Sequence, residues 1–332
     1  MPVTSREIIQ RVLAFDQPER IGFAFSPYRG EPRLNDLHWG GPAPDPGFVQ
    51  EQWTEGNLLC SRDEWGNVWG KVDPRHSGEV VRGVIQSWED LDSYTPPPLD
   101  DPARYAHLKE AWGNSPDMYH LGGFPGFAFN ITRYMRGFEQ YLLDCAAEPK
   151  QVNRLNDMAV SLVERIIDIY AEVGADGIFT CEDWGTQDML LVSPEMWRKL
   201  FMPGFERIVS RAHDHGITVW MHSCGYVWEI IPDLIAVGVD VLQFDQQENY
   251  PLQRLADHFA GKVTFWCPVD IQKVLQTRDK TTIQAYARRM RQLLGGQGGG
   301  FICKDYGDWR ALGITEDEQH WAYEAFLEVA AY

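Results

Sequence analysis

From about Asp101 onward, apolar positions alternate between two rhythms, a period near 3.6 and short continuous runs. Leu155, Met158, Leu162, Ile166, Ile167 and Tyr170 recur at helical spacing over 149–173, and Gly174 stands where a left-handed residue closes a helix. The run Gly177-Ile178-Phe179-Thr180 then predicts a strand. Ser193-Pro194-Glu195 opens the next helix, with serine as N-cap and proline in the first turn, and a strand over 217–222 follows. The order then repeats, with helices over 227–237, 252–259 and 282–294 alternating with strands over 239–244, 263–266 and 300–303. A last helix spans about 315–329. Strands separated by helices predict parallel βαβ units, the α/β class, and a (β/α)8 barrel.

The first hundred residues lack this rhythm. They are rich in Trp, Gly and Pro, alternate enough over 63–84 to predict a hairpin, and close at Pro96-Pro97-Pro98. They are expected to form an N-terminal extension, either capping the barrel mouth or packed on its side, with most of the barrel in 101–332 and one domain overall. The glycine run at 295–300 precedes a strand, whereas phosphate loops follow one, so it predicts a helix-to-strand turn.

Composition narrows the partners. Of 332 residues, 30 are basic and 48 acidic, and the resulting charge of −18 opposes binding to nucleic acid or an anionic membrane. Arg6, Arg11 and Asp16 interrupt what would have to be a secretory core, and no apolar run approaches the ~18 residues of a membrane span. A cytoplasmic protein is expected, with six scattered cysteines as reduced thiols.

Candidate chemistry gathers at the predicted strand ends, the rim where α/β barrels place their active sites. His222 and Cys224 in WMHSCG share one face by alternation and offer zinc an imidazole and a thiolate. Cys303 in GGFICKDYG closes a later strand at the same level and is expected as the third ligand, leaving a fourth position open. Glu182 and Asp183 follow the 177–180 strand and are candidates for a fourth ligand, a general base or an anchor for the imidazole. Gln243, Asp245 and Asp270 are candidates to hydrogen-bond substrate, cofactor or ligands, although Asp270 equally suits an N-cap. His213 and His215 should lie on the surface, Cys60, Cys145 and Cys267 should be buried, and His76 and His120 have no assigned role.

The segments TCEDWGTQDMLLVSPEMWRKLFMPGFERIV, ITVWMHSCGYVWEIIPDLIAVGVDVLQF and VTFWCPVDIQ resemble the uroporphyrinogen decarboxylase superfamily over roughly residues 100–330. The resemblance implies a (β/α)8 barrel and one of two chemistries. True decarboxylases use no metal and bind tetrapyrrole carboxylates through an arginine-rich motif, RQAGRY, where this chain has only Arg29 and Arg33. The zinc-dependent branch moves methyl groups between a corrinoid and a thiol, and its ligands fall on His222, Cys224 and Cys303. The resemblance therefore implies a zinc methyltransferase exchanging methyl groups between methylcobalamin or a corrinoid protein and a thiol or methylated small molecule. The segment CKDYGDW from Cys303 onward and the acidic Glu182-Asp183 pair depart from that branch and leave the acceptor open. Two alternatives remain, a metal-free lyase acting on a carboxylated substrate and a non-catalytic binder of a corrinoid or aromatic ligand with a structural zinc.

Overall fold

The computed structural model describes residues 3–73, 78–124 and 126–332. Strands β1 (Gly22–Ala24) and β2 (Leu37–Gly40) come first. Next come β3 (Gln52–Glu55), β4 (Leu58–Arg62), β5 (Val68–Lys71) and β6 (Glu79–Arg82). The series ends with β7 (Tyr119–Gly123), β8 (Gly177–Cys181), β9 (Thr218–His222), β10 (Val241–Gln243), β11 (Thr264–Cys267) and β12 (Phe301–Lys304). Eight of them, in the order β1-β12-β11-β10-β9-β8-β7-β2, form a nearly closed parallel barrel wrapped by helices, a (β/α)8 fold. The other four make an antiparallel sheet.

Residues 22–40, expected within the N-terminal extension, thus supply two barrel strands. With three and four residues each, those strands are too short for an alternating pattern to stand out. The antiparallel sheet stands over the C-terminal rim, where the Trp69 ring lies 5.0 Å from Tyr134 of the helix Ala128–Arg136. His76 lies outside the described residues.

The local signals act as their chemistry dictates. Ser193 accepts a hydrogen bond from Met196 N at 3.1 Å, and Gly174 closes the helix Pro149–Val173 in the left-handed conformation. At the glycine run, Gly300 adopts φ +80° and donates to Val12 O at 2.8 Å, so the run is a close turn against the end of the first helix. That helix, Ser5–Ala14, carries a capping box between Thr4 and Glu7. Its Ile8, Ile9 and Val12 pack against Leu37, Tyr119, Trp220 and Val241, which stand at or near the strand starts, so it stoppers the N-terminal end of the barrel.

Strand alternation divides each barrel strand between two cores. Trp220 and Ile302 join the inner cluster, whereas Val219, Met221, Phe301 and Cys303 join the outer one beneath the helices. Among the described residues, no helix is long and apolar enough to cross a membrane.

Candidate metal centre

His222 is the last residue of β9 and faces inward, two positions beyond Trp220. The register sets it opposite Cys181 of β8 and Gln243 of β10. Cys224 follows in the tight loop that leaves β9, and Asp183 in the loop that leaves β8. The two loops touch at glycines, because a Cβ on Gly225 would lie 2.2 Å from the Gly185 carbonyl oxygen, and Gly225 itself adopts φ +78°. A further backbone bond from Tyr226 N to Thr186 O, 2.7 Å, joins them. This lock brings the ligand atoms of Asp183, His222 and Cys224 within 4.8 Å of one another.

The details favour a cation. His222 Nδ1 is hydrogen-bonded to Gln243 Oε1, and Gln243 Nε2 donates to Asp245 Oδ1 at 2.6 Å. That chain leaves His222 Nε2 directed at Cys224 Sγ, 3.1 Å away, and Asp183 Oδ1, 3.4 Å away. An imidazole held through one nitrogen, with the other aimed at a thiol and a carboxylate, is the usual arrangement of a metal-ligating histidine. Cys224 N also donates to Asp183 Oδ1 at 2.9 Å, which fixes the carboxylate. The donor set of one nitrogen, one sulfur and one oxygen suits zinc.

Electrostatics separate the two neighbouring carboxylates. Burial alone would raise Asp183, but its hydrogen bond to and the charge of His222, the Cys224 N–H and Arg133 outweigh it and hold the carboxyl down to about 2. Asp183 is therefore ionised at neutral pH. Burial likewise would lower His222, and Asp183, Cys224 and Asp245 reverse this and raise it well above its ordinary value. Burial pushes Glu182 up to about 8, an effect that the N–H groups of Asn130, Phe127 and Phe129 and the charge of Arg133 offset only in part.

Three of the expected site residues serve elsewhere. Cys303 does not join the trio. Leu242 lies level with Phe265 and Phe265 with Phe301, all three on the outer side, so the inward residues of β12 are Ile302 and Lys304, and Cys303 points to the outer layer. There its thiol donates to Gly22 O at 3.3 Å, and burial keeps it protonated. A one-residue error of phase moves a side chain to the opposite face of a strand, which is why a cysteine at the right height is on the wrong side. Glu182 is not at the metal but caps the helix Ala128–Arg136, accepting from Phe127 N at 2.6 Å, Phe129 N at 3.1 Å and Asn130 N at 3.3 Å. Asp270 takes the capping role, with its oxygens accepting from the backbone of Glu248, Gln272 and Lys273. Gln243 and Asp245 stand behind His222, as described.

Other expectations concern the surroundings. His213 and His215 are exposed and paired with Asp240 and Asp168, and Cys60, Cys145 and Cys267 are buried. All six cysteines carry free thiols. His120 is buried between the carbonyl oxygens of Gly174 and Ser115. Sequence reading missed Lys304, whose ammonium lies 3.8 Å from Asp245 Oδ1 and 5.1 Å from the centre of the Trp266 ring. The parity that turns Cys303 outward would have found it. It also missed Arg133, 3.4 Å from Asp183 Oδ2, which comes from a helix remote in sequence and carries no local signal. Cys181 lines the site as a thiol that burial raises to about 11.

A family model described as uroporphyrinogen decarboxylase (URO-D) matches residues 73–304. Among solved structures, a methyltransferase from Methanosarcina mazei superposes with a TM-score of 0.56 at 15% identity, over 80% of this chain and 73% of that one. An L-ribulose 3-epimerase gives a TM-score of 0.43 at 12% identity, over 69% of this chain and 80% of that one. At these identities the likeness is one of fold. No curated protein sequence matches the chain significantly.

Proposed function

The chain belongs to the uroporphyrinogen decarboxylase (URO-D) family, and from that premise we propose that it is a zinc-dependent methyltransferase. The methyl group would pass between a corrinoid, free or carried by a partner protein, and a thiol or methylated small molecule. One observation carries the reading, the convergence of Asp183, His222 and Cys224 at the barrel rim. Zinc held there would supply Lewis acidity, favouring the thiolate form of a sulfur acceptor or drawing electrons from a methyl ether or thioether leaving group.

The protein's own groups do the rest. Gln243 keeps the His222 imidazole in one orientation, and Asp245 in turn orients Gln243. Asp183 presents its ligand oxygen already ionised, with Arg133 steadying the second oxygen. Trp39, Phe179 and Trp266 form an aromatic wall of the barrel mouth, with ring centres 5.2 to 5.5 Å apart. The wall lines an open cavity of about 440 Å³ together with Lys304 and Asp305. A metal-free lyase would need free cationic anchors for carboxylates, but Arg29 is paired with Asp317 and Arg33 with Asp305.

Metal analysis of the purified chain tests the proposal. Wild type and Cys303→Ser should both hold about one zinc per chain, and Cys224→Ser and His222→Ala should each lower affinity by at least about tenfold. Turnover of methylcobalamin with a thiol should stop on chelation and return with zinc. Zinc-free wild type, or zinc lost specifically with Cys303→Ser, would refute it.

A further inference from the structure

Behind His222 runs a chain of polar groups, and Lys304 stands at its far end. Asp245, whose side chain is 8% exposed, accepts from Gln243 Nε2 through Oδ1 at 2.6 Å, and its Oδ2 lies 3.9 Å from His222 Nδ1. Lys304 ends β12 two positions beyond Ile302 of the inner cluster, and its Nζ lies 3.8 Å from the same Oδ1. We propose that Lys304 is a positioning residue of the metal centre: its ammonium fixes Asp245, and through Asp245 and Gln243 it sets the orientation in which His222 meets the metal. The proposal rests on the reading of Asp183, His222 and Cys224 as a zinc site.

Asp245 needs a cation. Among the described residues its ion pairs are with His222 and Lys304. A histidine bound to zinc is a neutral ligand, so in the occupied site His222 does not answer the charge of Asp245 and Lys304 does. A buried carboxylate left without a cation is strongly unfavourable. At 3.8 Å the contact is an ion pair rather than a hydrogen bond. With the Lys304 side chain only 16% exposed, it is little screened by solvent.

Neighbouring groups keep Lys304 in place for this role. The adjacent carboxylate, Asp305, is engaged by Arg33 at 2.9 Å and by Ser26 N at 3.0 Å, so it does not draw the ammonium away. The ammonium lies 5.1 Å from the centre of the Trp266 ring, a favourable place for a cation. That ring is itself pinned, with the ring centres of Trp39, Phe179 and Trp220 5.2 to 5.5 Å away. A flexible lysine stem is thus given a platform and a partner. Two effects of Lys304 on a bound dication have opposite signs. A cation that is merely near the site repels zinc, so its removal would tighten binding. A cation that aligns His222 supports zinc, so its removal would loosen binding.

Zinc affinity of the full chain, measured by chelator competition, tests this in wild type, Lys304→Met, Lys304→Arg, Asp245→Asn and the double variant of Lys304→Met with Asp245→Asn. Lys304→Met should weaken zinc about tenfold, the lower edge for a group that supports a metal ligand. Lys304→Arg should stay within about threefold of wild type, because it keeps the charge where no particular donor geometry is required. In the Asp245→Asn background Lys304→Met should bring no further loss, since the two residues act through one contact. If Lys304→Met does not fold, Lys304→Gln is read in its place. Zinc binding by the methionine variant equal to or tighter than wild type, no rescue by Lys304→Arg, or an equal loss in the Asp245→Asn background overturns the proposal. Any of these results with zinc-bound wild type defeats the positioning role alone, whereas wild type without zinc defeats the metal centre and this role with it.

Discussion

His222 makes its contact with Gln243 through Nδ1, on the side away from Cys224 and Asp183. Gln243→Leu removes that contact without touching any of the trio, and metal-holding histidines that lose such a partner bind their ion about 10–100-fold more weakly. Competition against a chromophoric chelator should show a loss of that size, and zinc affinity equal to wild type would assign Gln243 to packing alone. At this scale the sequence was most informative where alternation carried the argument. His222 and Cys224 were legible because a two-residue spacing at a strand end fixes a shared side. Asp183 was legible as a rim carboxylate, but its neighbour Glu182 was not separable from it, since only the folded chain shows which of the two meets backbone N–H groups. Cys303 was misplaced because the height of a residue along a strand can be read from the start of an apolar run, whereas its side depends on phase. The four strand residues Phe301–Lys304 are all apolar but one, and such a run hides its phase.

The helix Ala128–Arg136 has no capping side chain of its own, and Glu182, 55 residues further on from Phe127, fills that place. This ties the helix that carries Asn130 and Arg133 to the loop that carries Asp183. Because Glu182 is raised from an ordinary 4.5 to about 8, the folded chain holds its proton across a range where the unfolded chain has lost it. The stability it adds is fully present below about 4.5 and is lost as pH rises through about 8. Urea unfolding of wild type and Glu182→Gln, which cannot ionise, should therefore show wild type losing ground to the variant between pH 5 and pH 9, and a pH-independent difference would contradict this assignment. Elements with a strong period were legible down to their ends, as Gly174 and Ser193 show. The cap from Glu182 was not, because a partner so distant in sequence leaves no mark near the helix it completes.

The fold class followed from the alternation after Asp101, but closure of the barrel depends on β1 and β2, which are too brief to betray themselves. The first helix is equally cryptic. Its apolar stripe reads as any amphipathic helix, and only the assembled barrel shows that Ile9 is its stopper. Ile9→Ala should cost about 2–5 kcal/mol in chemical unfolding, as for other fully buried large-to-small changes. Zinc affinity should be retained, because the trio sits at the other end. A loss below about 1 kcal/mol would mean that the barrel floor closes without the helix. The packed interior also governs traffic. A barrel filled by Trp220, Trp266 and Ile302 above its floor gives arriving and departing molecules the same doorway, so a spent molecule must vacate before its successor can settle. Whatever the reaction, its product should then act as a competitive inhibitor towards the reactant that shares its berth.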